Sequence, residues 1–539
     1  MSHVDGLLGR LSMYRLVTLA LAATVLAALV GALTGAVGVD PWGILASTAV
    51  AVGATAAVSA AGGRLVRRPA HLESSVITGL ILVLLFQPSL EPSALATVAG
   101  AGAVAGASKY LVAVRGRHVV NPAAFGALVA GVVGWPLLGT FGAFWWVATP
   151  FLLPVVAVVG LAVVQRTRHV APVVAYLVTG VVVVLQQQVA LGTAPGDALW
   201  SALAQYPLVF AATIMLTEPL TLAPRRGQQI GLAVLAALLA FVPFHLGPVS
   251  NTPELGLVVA NVVAFVLGQR GGVRLQVAAH TAVGGGAHEV LLRPAHPVRW
   301  RPGQWVELHV PHRADGRGER RTFSIVGAPA DGPAADALAV AFTVPAEPSS
   351  FKQTLAALPV GSTVHATGVG GDLLLPRSTA TPLLLVAGGI GVTPFVPMLE
   401  AGTHPDTVLV LVLRTHDAPP YLERLAATGV RTLVVGPSAG GPHDPDGAGW
   451  ELPDGWHRIG VRLTAEDLAD AVPDADQRRA YASGSPAMLA GTVPVLRAVG
   501  VRRVRRDVFS GYTGGRRRPV TRGRADAQGQ TEVTTSATL

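Results

Sequence analysis

Long apolar stretches fill the first half of the chain and end near residue 270, and no other feature constrains the fold as strongly. Short loops separate these stretches, whereas beyond residue 270 the apolar runs shorten to strand length and charged residues become frequent. A helix needs about 20 mostly apolar residues to cross the hydrocarbon core of a bilayer. The change in pattern therefore predicts a polytopic helical membrane domain over residues 1–270, with a soluble part after it.

Ten candidate spans lie in this first half, and the third and fifth are short enough to be half-spans or re-entrant segments. They cover residues 16–39, 42–63, 74–89, 93–113, 121–138, 142–164, 170–191, 203–223, 228–246 and 253–269. Arginine or lysine follows every even-numbered candidate, and the loops after the odd-numbered ones carry neither. Because cytoplasmic loops are enriched in these residues, we expect a multi-pass protein of the cell membrane whose soluble C-terminal module is cytoplasmic.

The composition of the 539-residue chain excludes several classes of protein. With 51% apolar and 13% charged residues, neither a mainly disordered chain nor an ordinary soluble enzyme is expected. The absence of cysteine excludes disulfides, thiolate-bound metals and a catalytic thiol, and no metal site is predicted. The formal net charge is +9, but the basic residues lie between apolar runs, so nucleic acid is not an expected partner. The sequence makes no prediction of the oligomeric state.

Three segments of the membrane domain carry short motifs, at residues 73–80, 109–126 and 212–221. Asn121 and Pro122 open a helix whose free amides suit an anion, and Glu218 is an ionisable group near a membrane boundary, where charge is costly. The alternative is a capped helix end and an interfacial carboxylate.

Over most of residues 70–270, the order and spacing of these motifs resemble the D subunit of the Rnf electron-transport complex and the B subunit of the sodium-pumping NADH:quinone reductase. The resemblance implies that Asn121, Pro122, Thr217 and Glu218 take part in electron transfer. Those relatives carry FMN covalently on a threonine within a motif that is absent here. We therefore expect a non-covalent FMN or a quinone in the membrane domain.

The soluble part divides into two domains and a tail. Residues 272–377 form short alternating apolar runs between glycine and proline turns, which predicts an antiparallel β-barrel. Residues 380–512 alternate buried strands with helices, which predicts a doubly wound α/β domain. Residues 513–539 are rich in Arg, Gly and Thr and are predicted to be a disordered basic tail.

Three motifs in this part, at residues 321–324, 389–394 and 484–486, occur in an order and spacing that resemble the ferredoxin–NADP reductase superfamily. The resemblance implies that the barrel binds FAD and that the α/β domain binds NADPH or NADH. Arg321 then pairs with a flavin phosphate, Phe323 replaces the usual tyrosine against the isoalloxazine, and Ser324 hydrogen-bonds at the flavin N5 edge.

Further site residues follow from the same resemblance. The second phosphate turn contains Gly370 and Gly371, with valine in place of the expected proline before them. Ser483 replaces the cysteine that normally faces the flavin, and we expect it to act with Ser324 in catalysis. Arg414 indicates NADPH if it meets the adenosine end of the nucleotide, and is otherwise a solvated arginine. Thr393 is expected to cap the helix after the glycine turn, and Pro394 to occupy its first turn. The other expected nucleotide- or flavin-binding residues are Gly388, Gly389, Gly391, Thr393, Pro394, Gly484, Ser485, Pro486, Phe509 and Tyr512.

Together these features predict a membrane-bound oxidoreductase that moves electrons from cytoplasmic NAD(P)H through FAD to a flavin or quinone in or at the membrane. The lipid membrane, NAD(P)H and an unidentified acceptor are the expected partners. One alternative is a transmembrane haem-type ferric reductase, which is disfavoured because His118, His169 and His245 lie at span ends rather than in facing pairs. The other is a transporter or channel with a redox-sensing flavin domain.

Overall fold

The computed structural model of the chain describes residues 13–66, 72–114, 117–139, 142–247, 249–268, 273–313, 319–327, 337–345, 348–414, 417–437 and 450–509. Tyr512 and the predicted tail at 513–539 lie outside the described residues. The described part comprises a helical N-terminal region, a six-stranded antiparallel sheet and a six-stranded parallel sheet, in that order along the chain.

Apolar helices build the N-terminal region, and a continuous set of buried apolar residues joins them. They are α1 (Met13–Leu33), α2 (Pro41–Leu65), α3 (Leu72–Leu85), α4 (Pro92–Leu111), α5 (Pro122–Leu138), α6 (Leu153–Thr167), α7 (Val170–Ala190), α8 (Pro195–Ala204), α9 (Leu208–Phe210) with a π-helical turn at Ala211–Met215, α10 (Arg226–Phe241) and α11 (Pro253–Leu267). Two short hairpins connect them, β1 (Ala113–Val114) with β2 (Arg117–His118), and β3 (His245–Leu246) with β4 (Val249–Ser250).

Small residues let these helices approach closely. A Cβ on Gly106 of α4 would lie 3.0 Å from the Thr55 carbonyl oxygen of α2, and a Cβ on Gly126 of α5 would overlap the carbonyl oxygen of Ala101 in α4. Close backbone approach through small residues is typical of helix packing in membranes, where apolar burial supplies little net attraction.

The prediction of ten spans is not supported. Among the described helices, α1, α2 and α7 are long and apolar enough to cross a bilayer, and a fourth span results if α8 and the segment Leu208–Met215, bent by 51°, count as one. Five further apolar helices have 10–17 residues, which is short of the roughly 20 that a bilayer core requires. The predicted span at 142–164 becomes helical only at Leu153, and the one at 203–223 is interrupted after Met215.

The antiparallel sheet curls into a barrel. Its strands are β5 (Val273–Ala282), β6 (Ala287–Pro294), β7 (Trp305–His309), β8 (Arg320–Ser324), β9 (Leu338–Thr343) and β10 (Thr363–Gly370), and helix α12 (Ser350–Ala357) precedes β10. The strand order is β8-β7-β10-β5-β6-β9, and a bridge between Ile325 and Val340 brings the two edges together. Alternate residues such as Val306 and Leu308 fill the interior around Phe351.

The parallel sheet has the strand order β14-β13-β12-β11-β15-β16, and helices pack on both of its faces. Its elements are β11 (Leu383–Gly388), α13 (Val396–Glu400), β12 (Thr407–Val412), α14 (Leu422–Ala427), β13 (Arg431–Val435), β14 (Trp456–Gly460), α15 (Ala465–Ala471), β15 (Arg479–Gly484), α16 (Pro486–Ala498) and β16 (Val504–Val508). Strand β12 follows β11 on one of its edges, and β15 pairs with the opposite edge of β11. This change of direction creates a crevice at the carboxyl ends of β11 and β15, where sheets of this kind bind ligands.

Hydrogen bonds fix the three parts against one another. Between barrel and parallel sheet, the Tyr421 hydroxyl donates to Glu289 at 2.7 Å and the Tyr481 hydroxyl donates to the Leu374 carbonyl oxygen at 2.8 Å. Between the helical region and the barrel, the Arg226 amide donates to the Asp372 carboxylate at 2.9 Å. The carboxyl ends of β11 and β15 therefore face the barrel.

Candidate functional site

A cleft of about 370 Å³ lies between the barrel and the carboxyl ends of β11 and β15, and we call it the interdomain cleft. Both domains line it. The barrel contributes Trp305, Arg321, Thr322, Phe323, Ser324, Ala341, Phe342, Thr343, Ser349 and Lys352, and the α/β domain contributes Gly388, Ile390, Thr393, Ser485, Asp507, Val508 and Phe509. The structure thus brings together motifs that are far apart in the sequence.

Strand β8 and helix α12 form a layer of charge and aromatic rings on the barrel side. The Phe323 and Phe351 rings are stacked with centroids 5.9 Å apart, and the Arg321 guanidinium lies 5.3 Å from the Phe351 centroid. Arg321 also donates a 2.6 Å hydrogen bond to the Arg320 carbonyl oxygen. The guanidinium is therefore held at the cleft wall.

Lys352 adds a second cation to this wall. Its ammonium group donates to the Thr343 carbonyl oxygen at 2.7 Å, and Ser349 caps the amino end of α12 by accepting from the Lys352 amide. Burial, and secondarily the Arg321 charge, lower the pKa of Lys352. An anion bound in the cleft would offset both effects, because it favours the charged form of each cation.

A buried carboxylate faces Ser324 across the cleft. Asp507 in β16 accepts a hydrogen bond from the Ser324 hydroxyl, and burial raises the pKa of Asp507. Ser483 lies opposite Asp507 in the register of β15 and β16, but it is not among the residues that line the cleft. The Ser483 hydroxyl is buried and has no hydrogen-bond partner within the described residues. Asp507 begins the segment at residues 507–512 from which Phe509 and Tyr512 were predicted, but sequence reasoning gave Asp507 itself no role in the site.

The turn after β11 differs from the predicted geometry. Gly389 has φ +53, a conformation that favours glycine, and Gly389–Val392 form a 3₁₀ turn. The Thr393 hydroxyl donates to the Ile390 carbonyl oxygen at 3.0 Å instead of capping a helix. Helix α13 begins only at Val396, so Pro394 precedes it rather than occupying its first turn.

The turn after β15 leads into a capped helix at the edge of the interdomain cleft. The Ser485 hydroxyl caps the 13-residue helix α16 by accepting from the Met488 amide at 3.2 Å, and Pro486 occupies the first turn. The Phe509 amide donates to the Gly484 carbonyl oxygen at 2.9 Å, which places Phe509 beside this turn. The amino end of α16 therefore points its positive dipole into the interdomain cleft.

Several predicted residues lie away from the cleft lining. Gly370 and Gly371 pack against Trp305, and Gly370 also packs against Pro224 of the helical region. Arg414 is exposed just beyond the end of β12. Gly391 packs against the backbone at the end of β15. Tyr512 lies outside the described residues.

The four residues predicted for electron transfer in the membrane domain meet at one cavity of about 270 Å³, the His118 cavity. Asn121 and Pro122 line it from the start of α5, and Thr217 and Glu218 line it from the irregular segment after the π-helical turn. His118 Nε2 lies 3.1 Å from Glu218 Oε1.

Asn121 has the structural role that the alternative anticipates. Its side-chain oxygen accepts from the Ala124 amide at 3.1 Å, and its own amide donates to the Asn261 side chain at 2.9 Å. The first turn of α5 is therefore capped by protein groups. Of the two predicted elements, the Glu218 segment is the one whose side chain pairs with a histidine at the cavity, His118.

Barrel residues complete the His118 cavity, namely Glu307, His309, Glu319 and Arg320. His309 Nε2 lies 2.9 Å from Glu319 Oε2. One histidine–carboxylate pair thus comes from each half of the chain. Sequence reasoning missed the barrel contribution, because nothing local in β7 or β8 indicates which element will pack on them.

No protein-family model matches the chain. An NADPH oxidoreductase of Mycobacterium tuberculosis is 26% identical over 192 residues, which are 35% of this chain and 47% of that protein. The electron transfer component of toluate 1,2-dioxygenase from Pseudomonas putida is 37% identical over 125 residues, which are 22% of this chain and 33% of that protein. The chain therefore spans less than half the length of each of these relatives.

Two solved structures are similar to 44% of the chain each. The ferredoxin reductase of carbazole 1,9a-dioxygenase has 18% sequence identity, a TM-score of 0.35 and 69% of its own chain covered. The flavohaem-like FAD/NAD-binding domain of nitric oxide dioxygenase from Vibrio cholerae has 18% identity, a TM-score of 0.35 and 99% of its chain covered.

Proposed function

We propose that the protein is a membrane-bound flavoprotein oxidoreductase that passes electrons from NADPH or NADH, through FAD in the interdomain cleft, to an acceptor in or at the helical region. The observation that carries the proposal is the cleft itself. It joins a barrel wall of Arg321 and stacked aromatic rings to the capped amino end of α16 at the crevice of a parallel sheet.

The barrel wall fits a flavin nucleotide. Arg321 and Lys352 offer charge-assisted hydrogen bonds to phosphate, and the face of Phe323 beside Phe351 offers an apolar surface for a planar ring. Ser324 and Asp507 supply a polar pair at the back of the cleft. When bound, the flavin accepts electrons in pairs and releases them singly, and the protein groups position it.

The α/β side fits a nicotinamide nucleotide. The capped amino end of α16 and the glycine turn after β11 meet at the crevice, where backbone amides bind phosphates well. Two relatives named as an NADPH oxidoreductase and as an electron transfer component support the same reading. The proposal covers either nucleotide, NADPH or NADH.

Exposed apolar side chains support placing the helical region in a membrane. Leu26 of α1 is 62% exposed, Val158 of α6 is 70% exposed, and Val178 and Val182 of α7 are 57% and 56% exposed. Transfer of such side chains from water into lipid lowers the free energy. The soluble module then lies on the cytoplasmic side, and the His118 cavity lies where it meets the helical region.

Replacing Arg321 tests the flavin site. We expect Arg321→Ala to remove a charge-assisted phosphate contact of about 1.5–3 kcal/mol, which weakens FAD binding by about ten- to a hundred-fold. FAD affinity of the full chain in detergent, measured by titration of the cofactor-depleted protein, gives the result. Arg462→Ala, changed at an exposed arginine, is the control. Equal affinities in the two variants would place the phosphate elsewhere.

Replacing Glu218 tests the acceptor side. In vesicles containing long-chain menaquinone, we expect Glu218→Gln to leave FAD reduction by NAD(P)H unchanged and to slow FAD reoxidation, because His118 loses its charged partner. Stopped-flow absorbance follows both steps, and Glu91→Gln, at an exposed helix start, is the matched control. Reoxidation at the parental rate would leave Glu218 as a helix-end carboxylate. Reduction without reoxidation in the parent protein would favour a redox sensor.

A further inference from the structure

A third cavity, the junction cavity, lies between the barrel and the helical region and has a volume of about 290 Å³. Trp305 and Thr322 line both this cavity and the interdomain cleft, so one layer of side chains separates the two spaces. Met13, Pro219 and Glu307 line both the junction cavity and the His118 cavity. The three spaces therefore follow one another from the interdomain cleft into the helical region.

Trp305 is held in the shared wall by close contacts. A Cβ on Gly370 would lie 2.9 Å from the indole Cζ2 atom and 3.0 Å from the Pro224 carbonyl oxygen, and a Cβ on Gly371 would lie 2.9 Å from the indole Cδ1 atom. The Gly371 amide donates to the Pro224 carbonyl oxygen at 3.4 Å. Glycine at both positions thus leaves room for the indole where the barrel meets the helical region.

Polar side chains interrupt the mostly apolar lining of the junction cavity. The junction of α6 and α7 contributes Arg166, Thr167 and His169, and β7 contributes Glu307. The His169 Nδ1 atom is buried without a hydrogen-bond partner among the described residues. Because buried polar atoms normally have partners, this nitrogen marks a place for a ligand atom. A mostly apolar cavity lined by an indole and by a few hydrogen-bonding groups suits a planar ring with carbonyl or ring-nitrogen acceptors.

We propose that Trp305 is the contact through which electrons leave the interdomain cleft, and that the junction cavity holds the planar acceptor ring that receives them. This inference rests on the proposed function, because NAD(P)H is the source of the electrons. Overall, NAD(P)H and one proton reduce the ring by two electrons and two protons, and NAD(P)⁺ is released. The indole forms no bond and is unchanged after the transfer. Isoalloxazine and quinone rings share this chemistry.

Flavin fluorescence tests the contact without turnover. An excited flavin takes an electron from a neighbouring indole, which quenches the flavin emission. We expect Trp305→Phe in the FAD-loaded full chain to lengthen the emission lifetime severalfold. Trp450→Phe, changed at the edge-packed Trp450–Trp456 pair of the α/β domain, should leave the lifetime unchanged. A parental lifetime in Trp305→Phe would place the flavin away from the indole and overturn the proposal.

Transfer kinetics test the role of the contact. With menaquinone vesicles, and with both rates expressed per bound FAD, we expect Trp305→Leu to slow reoxidation about 10- to 100-fold relative to FAD reduction by NAD(P)H, a loss typical of misplaced reactants. Gly370→Ala keeps the indole but displaces it, so the same step slows. Gly491→Ala, whose Cβ would meet nothing within 4 Å, is the control. Parental reoxidation in both test variants contradicts the inference, whereas absence of FAD reduction in the parent contradicts the proposed function.

Acid extraction distinguishes the two classes of ring. A flavin in the junction cavity appears as a second flavin per chain, and His169→Ala lowers that second flavin alone. A quinone leaves one flavin per chain and makes reoxidation depend on menaquinone in the vesicles. One flavin per chain together with reoxidation that does not respond to menaquinone would leave the cavity without an acceptor ring, and would overturn this part of the inference.

Discussion

Gly391 offers the sharpest test of the close packing between the turn after β11 and the end of β15. A Cβ at this position would overlap the Ser483 carbonyl oxygen and lie 2.7 Å from the Gly484 Cα atom. Both neighbours are backbone atoms at the end of β15, which also pairs with β11 and β16. Neither side can yield by rotating a side chain, so Gly391→Ala must move one backbone segment away from the other.

The cost follows from the overlap. Extra atoms in a tightly packed site typically cost about 1–3 kcal/mol. For a unit of this size about 2–4 °C are lost per kcal/mol, so we expect the melting temperature of the soluble module within the full chain to fall by about 2–12 °C. Gly491→Ala in α16 has open space around its Cβ, and its gain in helix propensity of about 1 kcal/mol makes it at least as stable as the parent.

The displacement also has a functional consequence. The end of β15 leads directly into the Ser485 cap of α16, so moving it shifts the expected pyrophosphate site. Because we propose that the barrel wall holds FAD, we expect Gly391→Ala to keep FAD and to slow FAD reduction by NAD(P)H in stopped-flow absorbance. If the melting temperature and the rate of FAD reduction of Gly391→Ala equal those of Gly491→Ala, the reasoning is refuted, because the turn would then not lie close to the end of β15.

Two buried carboxylates give further tests. Burial raises the pKa of Asp507, so its stabilising contribution is complete below the ordinary carboxyl pKa of about 3.9 and is lost as pH rises through the raised value. The melting temperature should therefore fall more steeply above pH 4 in the parent than in Asp507→Asn, and equal slopes would contradict this. Tyr421→Phe removes the 2.7 Å hydrogen bond to buried Glu289. An expected loss of about 1–3 kcal/mol should appear as a lower melting temperature, and no change would show that the carboxylate is satisfied elsewhere.

The soluble half was largely predictable because its signals are local. The sequence of apolar strand, glycine turn and helix start identifies where β11 and β15 end, and Ser485 and Pro486 occupy the cap and first turn of α16 as helix-start residues usually do. The same logic was wrong for Thr393. The left-handed Gly389 converts the following residues into a 3₁₀ turn and delays α13 to Val396, and a glycine alone does not indicate which conformation it adopts.

The helical region was less predictable because its apolar runs continue through segments where the helices are interrupted. The segment before α6 is irregular because it packs on the end of α3. The amides of Phe144 and Trp145 donate to the Leu85 carbonyl oxygen, and the Trp146 indole donates to the Val83 carbonyl oxygen at 2.6 Å. These groups satisfy the open carboxyl end of α3. Such pairing joins residues about 60 positions apart, and hydropathy carries no information about it.

Strands β7 and β8 contribute side chains both to the interdomain cleft and to the two cavities beside the helical region. Successive residues of a strand point to opposite faces. In β8, Arg321, Thr322, Phe323 and Ser324 all line the interdomain cleft, and Arg320 lines the His118 cavity. In β7, Trp305 and Glu307 line cavities toward the helical region, and Val306 and Leu308 on the opposite face fill the barrel interior. The alternation was visible in the sequence, but the occupant of the outer face was not, because contacts from a distant part of the chain, among them Pro224 against Gly370 at the end of β10, bring the helical region to that face.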